Sequence, residues 1–179
     1  GTIWGMGWGQ FGAFGDGIPV VQTAPLNIVS GARVAAAGVG KHSLFVKTDN
    51  TLWAMGANYA GQLGNGSTAN EINEPIAVAN DVASAWAGGA FSLFLKLDGS
   101  LWGMGENRNG QLGDGSIVNR SSPVQIASGV TAAAVGYSNS FFVKNDGSLW
   151  AMGNNFYGQL GNGTTTDVST PVQIASEVT

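Results

Sequence analysis

Leu101-Trp102-Gly103-Met104-Gly105-Glu106-Asn107-Arg108-Asn109-Gly110-Gln111-Leu112-Gly113-Asp114-Gly115 decides how this chain is read, because its wording recurs. Trp-x-Met-Gly stands at Trp4, Trp53, Trp102 and Trp150, at intervals of 49, 49 and 48 residues. Thirteen residues after each Trp comes the second Gly of a Gly-[Asn/Asp]-Gly, at Gly17, Gly66, Gly115 and Gly163. Three copies carry Gly-Gln-Leu-Gly just before it, from Gly61, Gly110 and Gly158; the first reads Gly12-Ala13-Phe14-Gly15. A Pro follows in every copy, at Pro25, Pro75, Pro123 and Pro171. Four landmarks in fixed order across four copies define a tandem repeat, and a period of this length marks a solenoid or a propeller.

Each repeat holds four candidate strands. The first begins with Val and continues with small residues: Val34–Gly38, Val82–Trp86 and Val130–Ala134. The second is dense in Leu, Phe and Val: Ser43–Lys47, Ser92–Lys96 and Ser140–Lys144. The third covers Leu52–Met55, Leu101–Met104 and Leu149–Met152, and the fourth opens at the Pro, as in Val124–Ile126. Consecutive apolar residues such as Leu44-Phe45-Val46 imply strands buried on both faces. A blade between two neighbouring blades meets that condition, and small first-strand side chains fit the taper toward a propeller axis. Asp49-Asn50, Asp98-Gly99 and Asp146-Gly147 stand between the second and third strands, and Asp-Gly predicts a tight type I′ hairpin there. Pro lacks an N–H, so the fourth strand belongs at an edge.

The expected fold is therefore all-β, a propeller of four-stranded antiparallel blades. Residues 1–30 make an incomplete blade, 31–79, 80–127 and 128–175 make three blades, and 176–179 start another. Seven repeats would need about 340 residues. The expectation is a partial ring of about 3.5 blades of a seven-bladed propeller, with the remaining blades from the same longer chain or another chain.

Composition narrows the function classes. Six Trp and eight Phe supply burial that a disordered chain lacks. A net charge of −4, with only seven scattered Lys and Arg, disfavours nucleic acid and anionic membranes as partners. The absence of Cys excludes thiol nucleophiles and thiolate metal sites. Low Lys content with abundant Asn, Thr and Gly inclines the reading toward a secreted or cell-surface bacterial protein.

The His-Ser element of Gly40-Lys41-His42-Ser43, then an apolar run, Asp-Gly, Trp-x-x-Gly-x-Asn and Gly-Gln-Leu-Gly, in that order, resembles the regulator of chromosome condensation repeat. The likeness runs along the whole chain, although Phe91-Ser92 and Asn139-Ser140 depart from His-Ser. Leu-Trp-x-Met-Gly is similar to bacterial members. The resemblance implies a seven-bladed propeller of four-stranded blades. It leaves function open, since family members include an exchange factor for a small GTPase, an ultraviolet photoreceptor and a β-lactamase inhibitor.

Candidate chemistry is sparse. Gly7-Trp8-Gly9-Gln10-Phe11-Gly12 fits a dinucleotide fingerprint, but no helix pattern follows to hold a pyrophosphate. His42 is the only histidine, and Ser43 beside it points to the opposite face of a strand, so neither a metal site nor a triad is expected. Asp16 and Asp114 stand where Asn65 and Asn162 stand in other copies, an exchange that suits a turn and not acid–base catalysis. Trp53, Trp102 and Trp150, in a framework position, read as one core Trp per blade, not as a light-sensing cluster. No cofactor and no catalytic residue is expected.

Positions that differ between copies are the candidate binding residues. They fall in two loops. One precedes the second strand and carries Lys41 and His42, then Phe91, then Tyr137 and Asn139. The other follows Trp-x-Met-Gly and carries Trp8 and Gln10, Tyr59, Arg108, and Phe156 and Tyr157. Exposed aromatics and Arg are the composition of protein-binding hot spots. The second strand begins where its antiparallel third strand ends, so both loops are expected on one propeller face. The function expected is a non-catalytic protein-interaction module. A glycan-binding propeller using the same aromatics is the alternative, and nucleotide exchange on a small GTPase a further one.

Overall fold

Residues 31–79 show how one repeat folds. β3 (Ala32–Ala37), β4 (His42–Lys47), β5 (Leu52–Ala57) and β6 (Glu71–Ala79) form an antiparallel meander in that order. The next repeat gives β7 (Val82–Ala87), β8 (Phe91–Lys96), β9 (Leu101–Gly105) and β10 (Arg120–Ala127). The last gives β11 (Val130–Val135), β12 (Asn139–Lys144), β13 (Leu149–Gly153) and β14 (Val168–Ala175). Ahead of them, β1 (Thr2–Trp8) and β2 (Val21–Ser30) pair as a two-stranded sheet. The chain is an all-β partial propeller. Its computed structural model describes residues 1–18 and 20–178. Thr179, placed above in the start of a further unit, lies outside the described residues. Among those residues the helical content is a single short 3-10 turn at Gln10–Gly12, so Gly7–Gly12 runs from the end of β1 into that turn and lacks the helix a dinucleotide site needs.

Alternate side chains of one strand serve opposite neighbours. Leu44 and Val46 pack with Val82, Phe94 and Met104 of the following blade, whereas Phe45 packs with Ile3 and Ile28 of the preceding one. Leu93 and Leu112 meet Val130, Phe142 and Met152 in the same manner. The unbroken apolar runs are thus explained by burial on both faces. A serine hydroxyl pins each seam: Ser43 donates to the Ala13 carbonyl (2.9 Å), Ser92 to Gln62 (2.8 Å) and Ser140 to Gln111 (2.8 Å). Gly113, at φ +68°, lets its loop approach the next blade so closely that a Cβ would lie 2.9 Å from Met152 Sδ. The inner strand β7 touches both β3 and β11, and the small side chains of Ala35, Ala37, Ala132 and Ala134 remain exposed along these inner strands.

Three local expectations are corrected. The hairpins at Asp98-Gly99 and Asp146-Gly147 are not type I′. Gly99 and Gly147 have positive φ, but Asp98 and Asp146 do not. The Gly99 N–H donates to the Lys96 carbonyl (3.0 Å) and the Lys96 N–H to Ser100 (2.9 Å), which closes a three-residue loop on a bulge glycine. The Asp carboxylate accepts from the Ser100 N–H (2.8 Å). Second, Pro75 does not open its strand but lies within β6, where the pairing with β5 is interrupted between Ala54 and Gly56. Bulges on edge strands accept a residue without an N–H. Third, the second strands start one residue early, at His42, Phe91 and Asn139.

The framework tryptophans are half-buried. Trp53, Trp102 and Trp150 lie parallel to Phe45, Phe94 and Phe142, with ring centroids 6.3, 6.3 and 6.2 Å apart. Lys47, Lys96 and Lys144 cover the rings at 3.8, 5.1 and 4.6 Å. Each indole N–H donates to Thr51, Ser100 or Ser148 at 2.8 Å, and those hydroxyls donate to Asp49, Asp98 and Asp146. One Trp per blade, tied to its own Phe, is a packing device.

Candidate functional site

The loop before each second strand is closed by a turn. Gly38 donates to the His42 carbonyl (3.0 Å), Gly88 to Phe91 (2.9 Å) and Gly136 to Asn139 (2.8 Å). The loop after each third strand is bonded onto this turn. Ala57 N–H donates to Lys41 (2.9 Å), Glu106 to Ala90 (2.9 Å) and Asn154 to Ser138 (2.8 Å). These bonds put both loops of a blade at the same end. Blade also touches blade there: the Gly89 N–H donates to the Tyr137 carbonyl (3.0 Å), and the Gly40 backbone packs on that of Gly89.

A buried asparagine holds each second loop. Asn58, Asn107 and Asn155 accept from the N–H of Leu63, Leu112 and Leu160 at 3.0, 2.9 and 3.0 Å. Their amides donate to Asn65, Asp114 and Asn162 across the same loop. The Oε1 atoms of Gln62, Gln111 and Gln159 accept from the N–H of Ala60, Asn109 and Tyr157. With the backbone fixed from inside, the residue after each Asn projects outward. These are Tyr59 (54% exposed), Arg108 and Phe156 (68%). Tyr157 follows at 85%, its ring edge-on to Phe156 at 4.8 Å.

Of the expected binding residues, Trp8, Gln10, Tyr59, Arg108, Tyr137, Phe156 and Tyr157 are exposed. Tyr59 senses its neighbours: burial first, then the Glu106 carboxylate and Tyr137, push its hydroxyl above the ordinary tyrosine range. Arg108 makes a long ion pair with Glu106 at 3.9 Å and leaves most of its guanidinium free. Lys41 is half-buried, with Nζ 4.9 Å from the Trp8 ring centroid and 4.3 Å from that of Phe11.

His42 and Phe91 correct the expectation of exposed loop side chains. They are 1% and 0% exposed. Each is the first residue of its strand, so pairing directs its side chain into the seam between blades instead of toward solvent. His42 Nε2 lies 2.9 Å from Ser92 Oγ. Ser92 gives its own proton to Gln62 O, so Nε2–H is the donor and Nδ1 carries the lone pair. Burial lowers the imidazole to about 4, with the neighbouring backbone of Gly40 and Phe91 opposing the shift more weakly. Asn139 is half-buried and folds over Gly136. Reading by residue type did not assign roles to Phe11, to exposed Val39, to Glu106 or to the clamping asparagines. Asn107 and its equivalents carried a signal, their fixed place in Trp-x-x-Gly-x-Asn. Among the described residues no three of His, Cys, Asp and Glu come together as a metal group.

Sheets of this kind, joined in series with their loops at one end, define a β-propeller segment. The chain belongs to the family of the regulator of chromosome condensation (RCC1) repeat, whose model matches residues 49–95, 98–143 and 146–179. A second model of the same repeat matches residues 82–111 and 130–159. Human WBSCR16 is similar in structure, with a TM-score of 0.86 and 24% identity over 98% of this chain and 48% of that one. Prp20p from Saccharomyces cerevisiae, described with its binding properties to Gsp1p and histones, has a TM-score of 0.84 and 21% identity over 98% and 47%. Yeast Prp20 bound to Kap60 is similar at the same TM-score and identity, over 98% and 45%. The chain thus spans about half the length of these proteins, and at these identities the likeness shows the fold. No curated protein matches the chain.

Proposed function

We propose that this chain is a non-catalytic protein-interaction module that meets its partner through the loop end carrying Tyr59, Arg108, Tyr137, Phe156 and Tyr157. The observation that carries the reading is the exposure of these side chains on loops whose backbones are tied down by Asn58, Asn107 and Asn155. Aromatic and Arg side chains dominate binding energy at protein interfaces, and a loop fixed beforehand loses little entropy on binding. Lys41 belongs to this end, held against Trp8 and Phe11. His42 and Phe91 act beneath it as packing residues. Family membership supports the reading, since Prp20p is described as binding the proteins Gsp1p and histones.

The test compares the chain with a Tyr59→Ala/Tyr137→Ala/Phe156→Ala variant as immobilised baits for extract of the source cells, with retained proteins quantified. Proteins held by the first and lost by the second, with unchanged thermal unfolding, support the reading. Identical retained sets overturn it. Retention of sugars on a glycan array, abolished by the same variant, would replace it with a lectin role.

A further inference from the structure

Three residues that the repeat framework does not require converge at the loop end, one from each complete blade. Tyr59 stands where the other complete repeats have Arg108 and Phe156, Glu106 where they have Ala57 and Asn154, and Tyr137 where they have Gly40 and Gly89. Ala, Asn and Gly serve the fold at the last two positions, so blade packing demands neither the Glu106 carboxylate nor the Tyr137 ring.

Backbone contacts hold the three loops together. Gly105 is wedged between the first loop of its own blade and the loop that carries Tyr59: a Cβ there would lie 2.5 Å from the Ala90 oxygen and 3.0 Å from Gln62 Cα. The next residue, Glu106, donates its N–H to the Ala90 carbonyl (2.9 Å), and the Gly89 N–H donates to Tyr137 (3.0 Å). The Tyr137 ring lies over Gly89, its Cδ2 3.5 Å from where a Cβ would stand. Glu106 thus comes from the blade between the two that supply the tyrosines. Burial first, then Glu106 and Tyr137, raise the Tyr59 hydroxyl, an electrostatic mark of the same proximity. Tyr59 and Tyr137 remain 54% and 73% exposed.

Among the described residues the one charged partner of Glu106 is Arg108, at a long 3.9 Å. The Arg108 side chain is 79% exposed, so that pair is weak. A partner surface that covers both tyrosines also covers this carboxylate. An apolar surface would leave it desolvated and unpaired, and an acidic one would repel it. A cation satisfies all three groups, pairing with the carboxylate while it packs on the electron-rich ring faces.

We propose that Tyr59, Glu106 and Tyr137 form the receptor for one cationic side chain, a lysine or an arginine, of the protein partner inferred above, the interaction reading on which this assignment rests. The incoming cation displaces Arg108 from Glu106 and frees its guanidinium for the partner's surface. The net charge of −4 favours the approach of such a partner at longer range.

The test titrates the chain with N-acetyl-arginine amide, N-acetyl-lysine amide and neutral N-acetyl-norleucine amide, following Tyr59, Glu106 and Tyr137 by NMR. The two cations should give saturating shifts at all three residues, and the norleucine amide none. Glu106→Gln and Tyr137→Ala should each weaken cation binding about tenfold, with thermal unfolding unchanged. An equal response to the neutral amide, or unchanged cation binding in Glu106→Gln, would overturn the assignment. Extract of the source cells passed over Glu106→Gln as bait separates this site from the interaction reading itself. Proteins lost with the Tyr59→Ala/Tyr137→Ala/Phe156→Ala variant but retained in full by Glu106→Gln leave the interaction reading standing and overturn the cation receptor. Cations that bind as expected while the parent chain retains no protein leave the receptor standing and overturn its place in a protein interface.

Discussion

His42 shows how one side chain can be displaced from a surface role by a single hydrogen-bonded position. Its ring is held neutral in the seam between blades, with a folded-state value of about 4. An exposed imidazole in the unfolded chain titrates near 6.5. The contribution to stability is therefore complete above pH of about 6.5 and is lost as pH falls toward about 4, because the unfolded chain binds the proton first. Between pH 7 and pH 5 this amounts to about 2 kcal/mol. His42→Phe, which places at this site the residue that β8 uses, should remove that part of the pH dependence. Urea unfolding of both proteins at the two pH values measures the difference. Trp102 is a second case. It is half-buried, stacked on Phe94 and hydrogen-bonded to Ser100. Trp102→Ala should cost about 3 kcal/mol; thermal unfolding unchanged from the parent would show that the stack contributes nothing.

The four-stranded blade with its clamped loop is the element on which the proposed function depends. Asn107 accepts from the buried Leu112 N–H and donates to Asp114, and Asp114 is also paired with Arg120 at 2.6 Å. Asn107→Ala would leave the Leu112 N–H without a partner in the interior. A loss of about 2 kcal/mol is expected, with faster amide exchange confined to residues 106–116. The spatial restriction is the informative part, because a general loss of packing would speed exchange throughout the blade. A loosened loop would also display Arg108 less rigidly and weaken partner binding by ordering cost.

The arrangement of blades brings residues from separate repeats to one end of the molecule. Tyr59 and Tyr137 come from different blades, yet each blade's two loops are bonded together and the Gly89–Tyr137 contact links neighbours. Tyr137→Ala and Arg108→Ala should each change folding stability by less than about 0.5 kcal/mol, since both side chains are exposed. Each should weaken partner binding by roughly 1–3 kcal/mol. Calorimetric unfolding and a titration with a captured partner check the two halves of that statement.

The repeat spacing and the paired-face burial of Leu44-Phe45-Val46 were legible without coordinates, because strand periodicity and turn glycines are local properties of a chain. The four-strand meander followed from them. Tertiary structure decided the rest. Whether position 42, 91 or 139 faces water depends on a strand beginning one residue sooner, and pairing registers set that start. His42 and Phe91 consequently lie in a seam that exists only when two repeats, some 50 residues apart, pack together. Asp98-Gly99 adopts a three-residue loop because Ser100 and Trp102 draw the Asp carboxylate into their own chain of hydrogen bonds. The exposed end of Tyr59, Arg108 and Tyr137 is likewise a product of packing: composition supplied the side chains, and hydrogen bonds between loops and between blades chose which of them solvent can reach.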